Sequence, residues 1–170
     1  MANEEKILSG EVPFTDEEET FDLAKLDDQT RQGFGVTDIK ADLTKKGVSY
    51  CSMQTVDKRS KVSLYNAISQ PEKIKKIINV PINLAHIYID AISLYDENTE
   101  AYITVPRVVL IDDKANGYQS ISIGMYEGVK RLIQMFGEPS EWAKPLKVKV
   151  IEIPLKNGGH TYNLECVYEG

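Results

Sequence analysis

Residues 80–95 read VPINLAHIYIDAISLY, a long stretch rich in isoleucine. Ile82 and Leu84 share one parity, whereas Ile87, Ile89 and Ala91 share the other. Side chains alternate faces along a strand, so a phase change inside one apolar run implies an extra residue, here a bulge near Ala85. A bulge bends its strand, as a small barrel requires. DENTE at 96–100 then reads as a solvated turn, and AYITVPRVVLID at 101–112 as a second strand. Pro106 lacks an N–H and therefore requires an edge position or a bulge. DKANG at 113–117 makes a hairpin turn, with Asn116-Gly117 its strongest signal. YQSISI completes a third strand.

Downstream, the period changes from two to 3.6. Met125, Val129, Leu132, Ile133 and Phe136 form one apolar stripe and predict a helix over 123–136. Ser122 is placed to cap it, Gly137 to stop it, and Pro139 prevents continuation. PLKVKVIEIPL is the fourth strand, with Leu146, Val148 and Val150 on one face and Lys147 and Lys149 on the other. After a KNGG turn at 156–159, HTYNLECVY is the fifth, with Tyr162, Leu164, Cys166 and Tyr168 sharing a face. Cys166 is accordingly expected in the core.

Three strands, a helix and two strands is the element order of an OB-fold. The expectation is a mainly β (α+β) protein: a five-stranded OB-like barrel with a helix between strands 3 and 4, its core spanning about 80–168. Ahead of it, VSYCSMQTV at 48–56 is a candidate strand and DKRSK a basic turn. PEKIKKIINV is a candidate helix begun by Pro71, with Ile74, Ile77 and Ile78 on one side and Lys73, Lys75 and Lys76 on the other. Residues 1–47 form an acidic, partly disordered N-terminal extension to an OB-like domain at 48–170.

The net charge of −6 is uneven. Residues 1–35 hold ten acids against three bases, a net of −7, which leaves +1 for the remainder. The extension is a solubilising segment, or an arm that competes with nucleic acid for a basic groove. No apolar run approaches the roughly 20 residues of a membrane span. The start, MANEEKILSG, carries no apolar stretch after its charges, so a cytoplasmic protein without membrane contact is expected. Cys51 and Cys166 lack metal spacing and read as free thiols. With only His86 and His160, a histidine metal site or catalytic triad is poorly supplied. There is no P-loop, GxGxxG, HExxH or paired CxxC. The chain is read as neither an enzyme nor a cofactor protein. Gly124 and Gly128, four apart, read as sites of close helix packing.

The positive signal is aromatic. Nine tyrosines stand against four phenylalanines and one tryptophan. Tyr95 and Tyr102 flank the first turn, and Tyr118 follows the second. Flat rings beside cations are how single-strand binders stack bases and track phosphates, so Arg107, Lys114, Lys147 and Lys149 join the three tyrosines as candidate contacts. Lys58, Arg59, Lys61, Lys73, Lys75 and Lys76 form a further basic stretch.

KVSLYNAIS at 61–69, INVPINLAHIYI at 78–89, PRVVLIDD at 106–113, GYQSISIGMYEGVKRLIQMFGEP at 117–139, PLKVKVIE at 145–152 and HTYNLECV at 160–167 together resemble one family. It comprises the single-stranded-DNA-binding proteins of protein-primed Bacillus phages and of related phages and plasmids of Gram-positive bacteria. The resemblance spans roughly 60–168. It implies an OB-like barrel that covers displaced single strands during phage or plasmid replication. It also implies DNA contacts at Tyr95, at Tyr102 seven residues later, and at Tyr118 before Gln119-Ser120-Ile121-Ser122. Single-stranded DNA is the expected partner, with replication proteins and self-association left open. The alternative is an interaction protein that binds a host protein through its acidic arm and barrel.

Overall fold

The computed structural model describes Leu43 and residues 47–169; the rest of the acidic extension lies outside the described residues. Among the described residues there are seven strands: β1 Ser49–Cys51, β2 Glu72–Lys73, β3 Ile82–Asp96, β4 Ala101–Asp112, β5 Gly117–Ser120, β6 Leu146–Pro154 and β7 His160–Cys166. The same residues hold two α-helices, α1 Lys58–Ser69 and α2 Ile123–Phe136. The strands form one mixed sheet in the order β2-β5-β4-β3-β6-β7, with β1 added to β3. Among the described strands β2 and β5 pair in parallel and the other pairs are antiparallel.

β3 organises the sheet. One edge pairs with β4 along nearly its whole length, with a register shift between Leu84 and His86, where the phase change predicts a bulge. Its other edge serves β6 at residues 82–84 and β1 at residues 88–90. The strand bends where it changes partners, and the sheet curls into a half-barrel. A bridge between Ile78 and Val150 ties the 3-10 turn segment to β6. This is a curled, mostly β architecture consistent with an OB-like protein, with β1, read as a candidate strand, and the unforeseen β2 added to the five barrel strands read from the sequence.

Both faces of β3–β4 are covered, which is why these strands read as near-continuous apolar runs. On the inner face Ile87, Ile89, Val108 and Leu110 meet Val148, Val150 and Tyr162, with Met125, Val129, Leu132 and Ile133 of α2 above them. On the outer face Tyr88, Val109 and Ile111 lie under Leu64, Ala67 and Ile68 of α1. Pro106 pairs with Ala91, while β5 reaches only Val108–Ile111 of β4. Its missing N–H therefore falls beyond the end of β5.

Several local expectations change. The helix before β3 is α1, not the segment after Pro71. Asp57 accepts the Ser60 N–H at 2.7 Å, and the Ser60 hydroxyl receives the Asp57 N–H, a reciprocal cap hidden in DKRSK. Pro71 follows the end of α1, and Ile74–Ile77 is a single 3-10 turn burying Ile74 and Ile77. The strand expected over 48–56 shortens to β1. Ser122 stands at the N-cap of α2 but spends its hydroxyl on Thr161 Oγ1 (2.6 Å) and the Tyr162 N–H. Phe136 and Cys166 are exposed rather than buried.

Two glycines allow helix and sheet to touch. A Cβ on Gly124 would lie 2.2 Å from Thr161 Oγ1 and 2.7 Å from the Tyr162 carbonyl oxygen, so α2 rests directly on β7. A Cβ on Gly117 would lie 2.3 Å from the Ala67 carbonyl oxygen, so α1 crosses β5 at backbone distance. Gly117→Ala is expected to lower stability by about 1–3 kcal/mol, because backbone cannot swing aside as a side chain can. A urea midpoint equal to that of the parent would contradict this close crossing.

Candidate nucleic-acid interface

The β3–β4 hairpin ends in a cross-strand tyrosine pair. Tyr95 faces Tyr102 in the register, their ring centroids 5.4 Å apart in a T-shaped arrangement. Both rings are largely in water, at 49% and 74% exposure, although tyrosine is usually partly packed. The edge-to-face contact stabilises the pair by about 0.5–1.5 kcal/mol and leaves ring face available. The turn beneath them is ordered by Asp96, which is 4% exposed. Its carboxylate accepts the Asn98 N–H at 3.0 Å and the Thr99 hydroxyl at 3.1 Å. DENTE is thus an Asx-type turn built on a buried first residue, with residues 97–100 exposed, rather than a wholly solvated one. Asp96 is a positioning residue that the turn reading overlooks; an aspartate two residues before an amide is its signal.

Tyr118 lies elsewhere on the same sheet face. It pairs with Leu110, eight residues along β4 from Tyr102, a separation of ~26 Å at strand rise. Its ring is half-buried against the core, and its hydroxyl donates to Asp112 at 3.3 Å. Burial first, then the Asp112 carboxylate, raises the Tyr118 hydroxyl above its ordinary pKa. Asp112 also accepts the Lys114 and Asn116 N–H groups and so fixes the β4–β5 turn, on which the Lys114 side chain is exposed. The structure therefore brings Tyr95 and Tyr102 together and places Tyr118 and Lys114 at the far end of the hairpin.

Arg107 occupies the interior, which corrects its expected place among the surface cations. It is 0% exposed, opposite Asp90 in the register. Nε and Nη2 donate to the two Asp90 carboxylate oxygens, each at 2.9 Å, and Nη1 donates to the Ile68 carbonyl at 3.1 Å. The Tyr88 hydroxyl donates to the same Asp90 carboxylate at 3.0 Å. This fork ties the last turn of α1 to the sheet. A phosphate has no path to the guanidinium in this arrangement.

Lys147 and Lys149 stand on the outer face of β6 as expected, each against a carboxylate. Lys147 Nζ is 2.5 Å from Glu169, and Lys149 Nζ is 3.0 Å from Glu165, its cross-strand neighbour. A nucleic-acid strand crossing here would have to displace both acids. Replacing both lysines by glutamine is accordingly expected to reduce the log–log salt slope of binding by less than the ~1.4 that two unopposed single-strand phosphate contacts would give. A drop of that full size in a salt titration would show that the acids yield to phosphate.

Among the described residues no cluster of three or more His, Cys, Asp or Glu could hold a metal ion, and no helix is long and apolar enough to cross a membrane. A family model described as phage single-stranded DNA-binding protein matches residues 43–166. The chain belongs to this family. The match covers every described strand and helix, including β1, which lies upstream of the resemblance seen in the sequence. No curated protein and no solved structure matches the chain. Membership in the phage single-stranded DNA-binding family makes single-stranded DNA the partner against which the exposed tyrosine pair is to be weighed.

Proposed function

We propose that the chain coats single-stranded DNA without sequence preference, stacking bases on Tyr95 and Tyr102, and protects displaced strands during phage or plasmid replication. The reading is non-enzymatic and rests on an OB-like barrel presenting the β3–β4 hairpin. The observation that carries it is the exposed ring pair at the end of that hairpin, in a chain of this family. Stacking on such rings tolerates any base, because every base offers a π-face. Lys114 and Tyr118 extend the contact toward the other end of the hairpin, and Lys147 and Lys149 contribute only if their acids release them.

Competition binding tests this reading. Unlabelled single strands of differing sequence should displace a labelled oligothymidylate with similar potency, and duplex of the same length should displace it poorly. Affinity should fall with added salt. Strong preference for one sequence, or equal competition by duplex, would overturn it. A tight protein partner with no nucleic-acid binding would instead support the interaction-protein alternative.

A further inference from the structure

A groove of about 740 Å³ opens between β1, α1 and the turn at 138–140. Met53, Leu64 and Ile68 supply its apolar wall, with Tyr65 and Lys61 from α1 on the same lining. Tyr65 is 60% exposed. It is held on a helix whose adjoining residues Leu64, Ala67 and Ile68 are buried against the sheet, so a rigid element presents the ring. Lys61 is one turn earlier, on the same side of the helix, and Lys58 and Arg59 are exposed in the first turn.

Two acids lie nearby, each oriented by a hydrogen bond that leaves its charge in place. Glu138, on the groove lining, accepts the Tyr50 hydroxyl. Asp57 caps α1, and the Ser60 N–H holds its carboxyl below the usual carboxylate range. An exposed ring, an apolar wall and three cations within the first turns of one helix match a nucleobase with its phosphates; an acid-free apolar side chain would leave the cations unused.

We propose that this groove is a second nucleobase site, in which an unpaired base stacks on Tyr65 beside Met53 while its flanking phosphates lie along Lys61 and the first turn of α1. The proposal rests on the single-strand reading above and extends it to a surface outside the hairpin. β1 meets β3 at Tyr88–Asp90, five to seven residues from Tyr95, roughly 16–23 Å along the strand. Tyr95 shares the parity of Ile87 and Ile89 while α1 covers the opposite face, so a single strand joining the two sites passes over the sheet edge and its path is longer than that distance.

The test uses the full chain and an oligothymidylate carrying 5-iodouracil. Irradiation should crosslink Tyr65 as well as the hairpin tyrosines, mapped by mass spectrometry. Tyr65→Ala should weaken oligothymidylate binding roughly 5- to 150-fold, the span for one lost stacked base, while Tyr65→Phe retains most of the affinity. Because the ring is exposed, the urea midpoint of Tyr65→Ala should stay near that of the parent, which separates lost contact from lost fold. Parent binding with unchanged affinity in Tyr65→Ala and crosslinks confined to the hairpin would overturn the second site and leave the first intact. Absence of parent binding would overturn both. Oligothymidylate affinity that rises on deletion of residues 1–42 in the parent but not in Tyr65→Ala would assign the groove to the acidic arm and also overturn the proposal.

Discussion

Arg107→Ala is expected to cost about 3–5 kcal/mol of folding stability, because it strands the Asp90 carboxylate in the interior without its partner. Both side chains are 0% exposed, so water cannot replace the lost donors. The Ile68 carbonyl at the end of α1 also loses its donor, so the damage reaches the packing of Leu64 and Ile68. Removing both charges should be far milder. Asp90→Leu with Arg107→Met replaces the ion pair by apolar groups and is expected to recover most of the loss. Urea unfolding of the three proteins checks this. A loss below about 1 kcal/mol for Arg107→Ala would contradict the buried fork. The folded double variant should keep the parent's salt dependence of DNA binding, since Arg107 touches no phosphate.

Tyr95→Ala and Tyr102→Ala should each weaken binding to single strands by ~1–3 kcal/mol, and the corresponding phenylalanine variants by much less, because the π-face remains. The rings touch each other, so their losses should not add; a double-mutant cycle should show coupling. Stability should change little, since both rings project from the hairpin end at 49% and 74% exposure. Equal losses for alanine and phenylalanine at both positions would assign the effect to the hydroxyls and remove stacking from the account.

The parts of the fold legible in the sequence were those governed by local pattern. The change of phase between Leu84 and Ile87 marked a bulge because burial on the inner face demands it. Asn116-Gly117 and the stripe on α2 were likewise local signals. α1 is hard to read from the sequence because its core contact is narrow: only Leu64, Ala67 and Ile68 are buried, Val62 and Tyr65 are exposed, and the remaining residues are polar or basic. Its cap, Asp57 to Ser60, sat inside what reads as a basic turn. Pro71 carries the local signature of a helix start but follows a helix end. Parity named the face of Cys166 but not how far along β7 cover extends.

The candidate site divided in the same way. Tyr95 and Tyr102 flank a turn, so their proximity follows from the hairpin alone. Arg107 reads as a surface cation because its partner is seventeen residues away, and only the register set at the 97–100 turn brings Asp90 opposite it. Its odd parity against Tyr102 already put it on the other face. The acids that neutralise Lys147 and Lys149 come from β7 and the residues after it, a pairing that depends on β6–β7 register and not on spacing.

The central claim is that bases stack on the Tyr95–Tyr102 pair. Titrating the full chain with poly-dT while following intrinsic fluorescence tests it most directly, with the Tyr95→Ala, Tyr102→Ala double variant measured alongside. Saturable quenching that added salt reverses is expected in the parent, and quenching only at far higher poly-dT in the double variant. Identical titration curves for the two proteins, or no change in the parent, would contradict it.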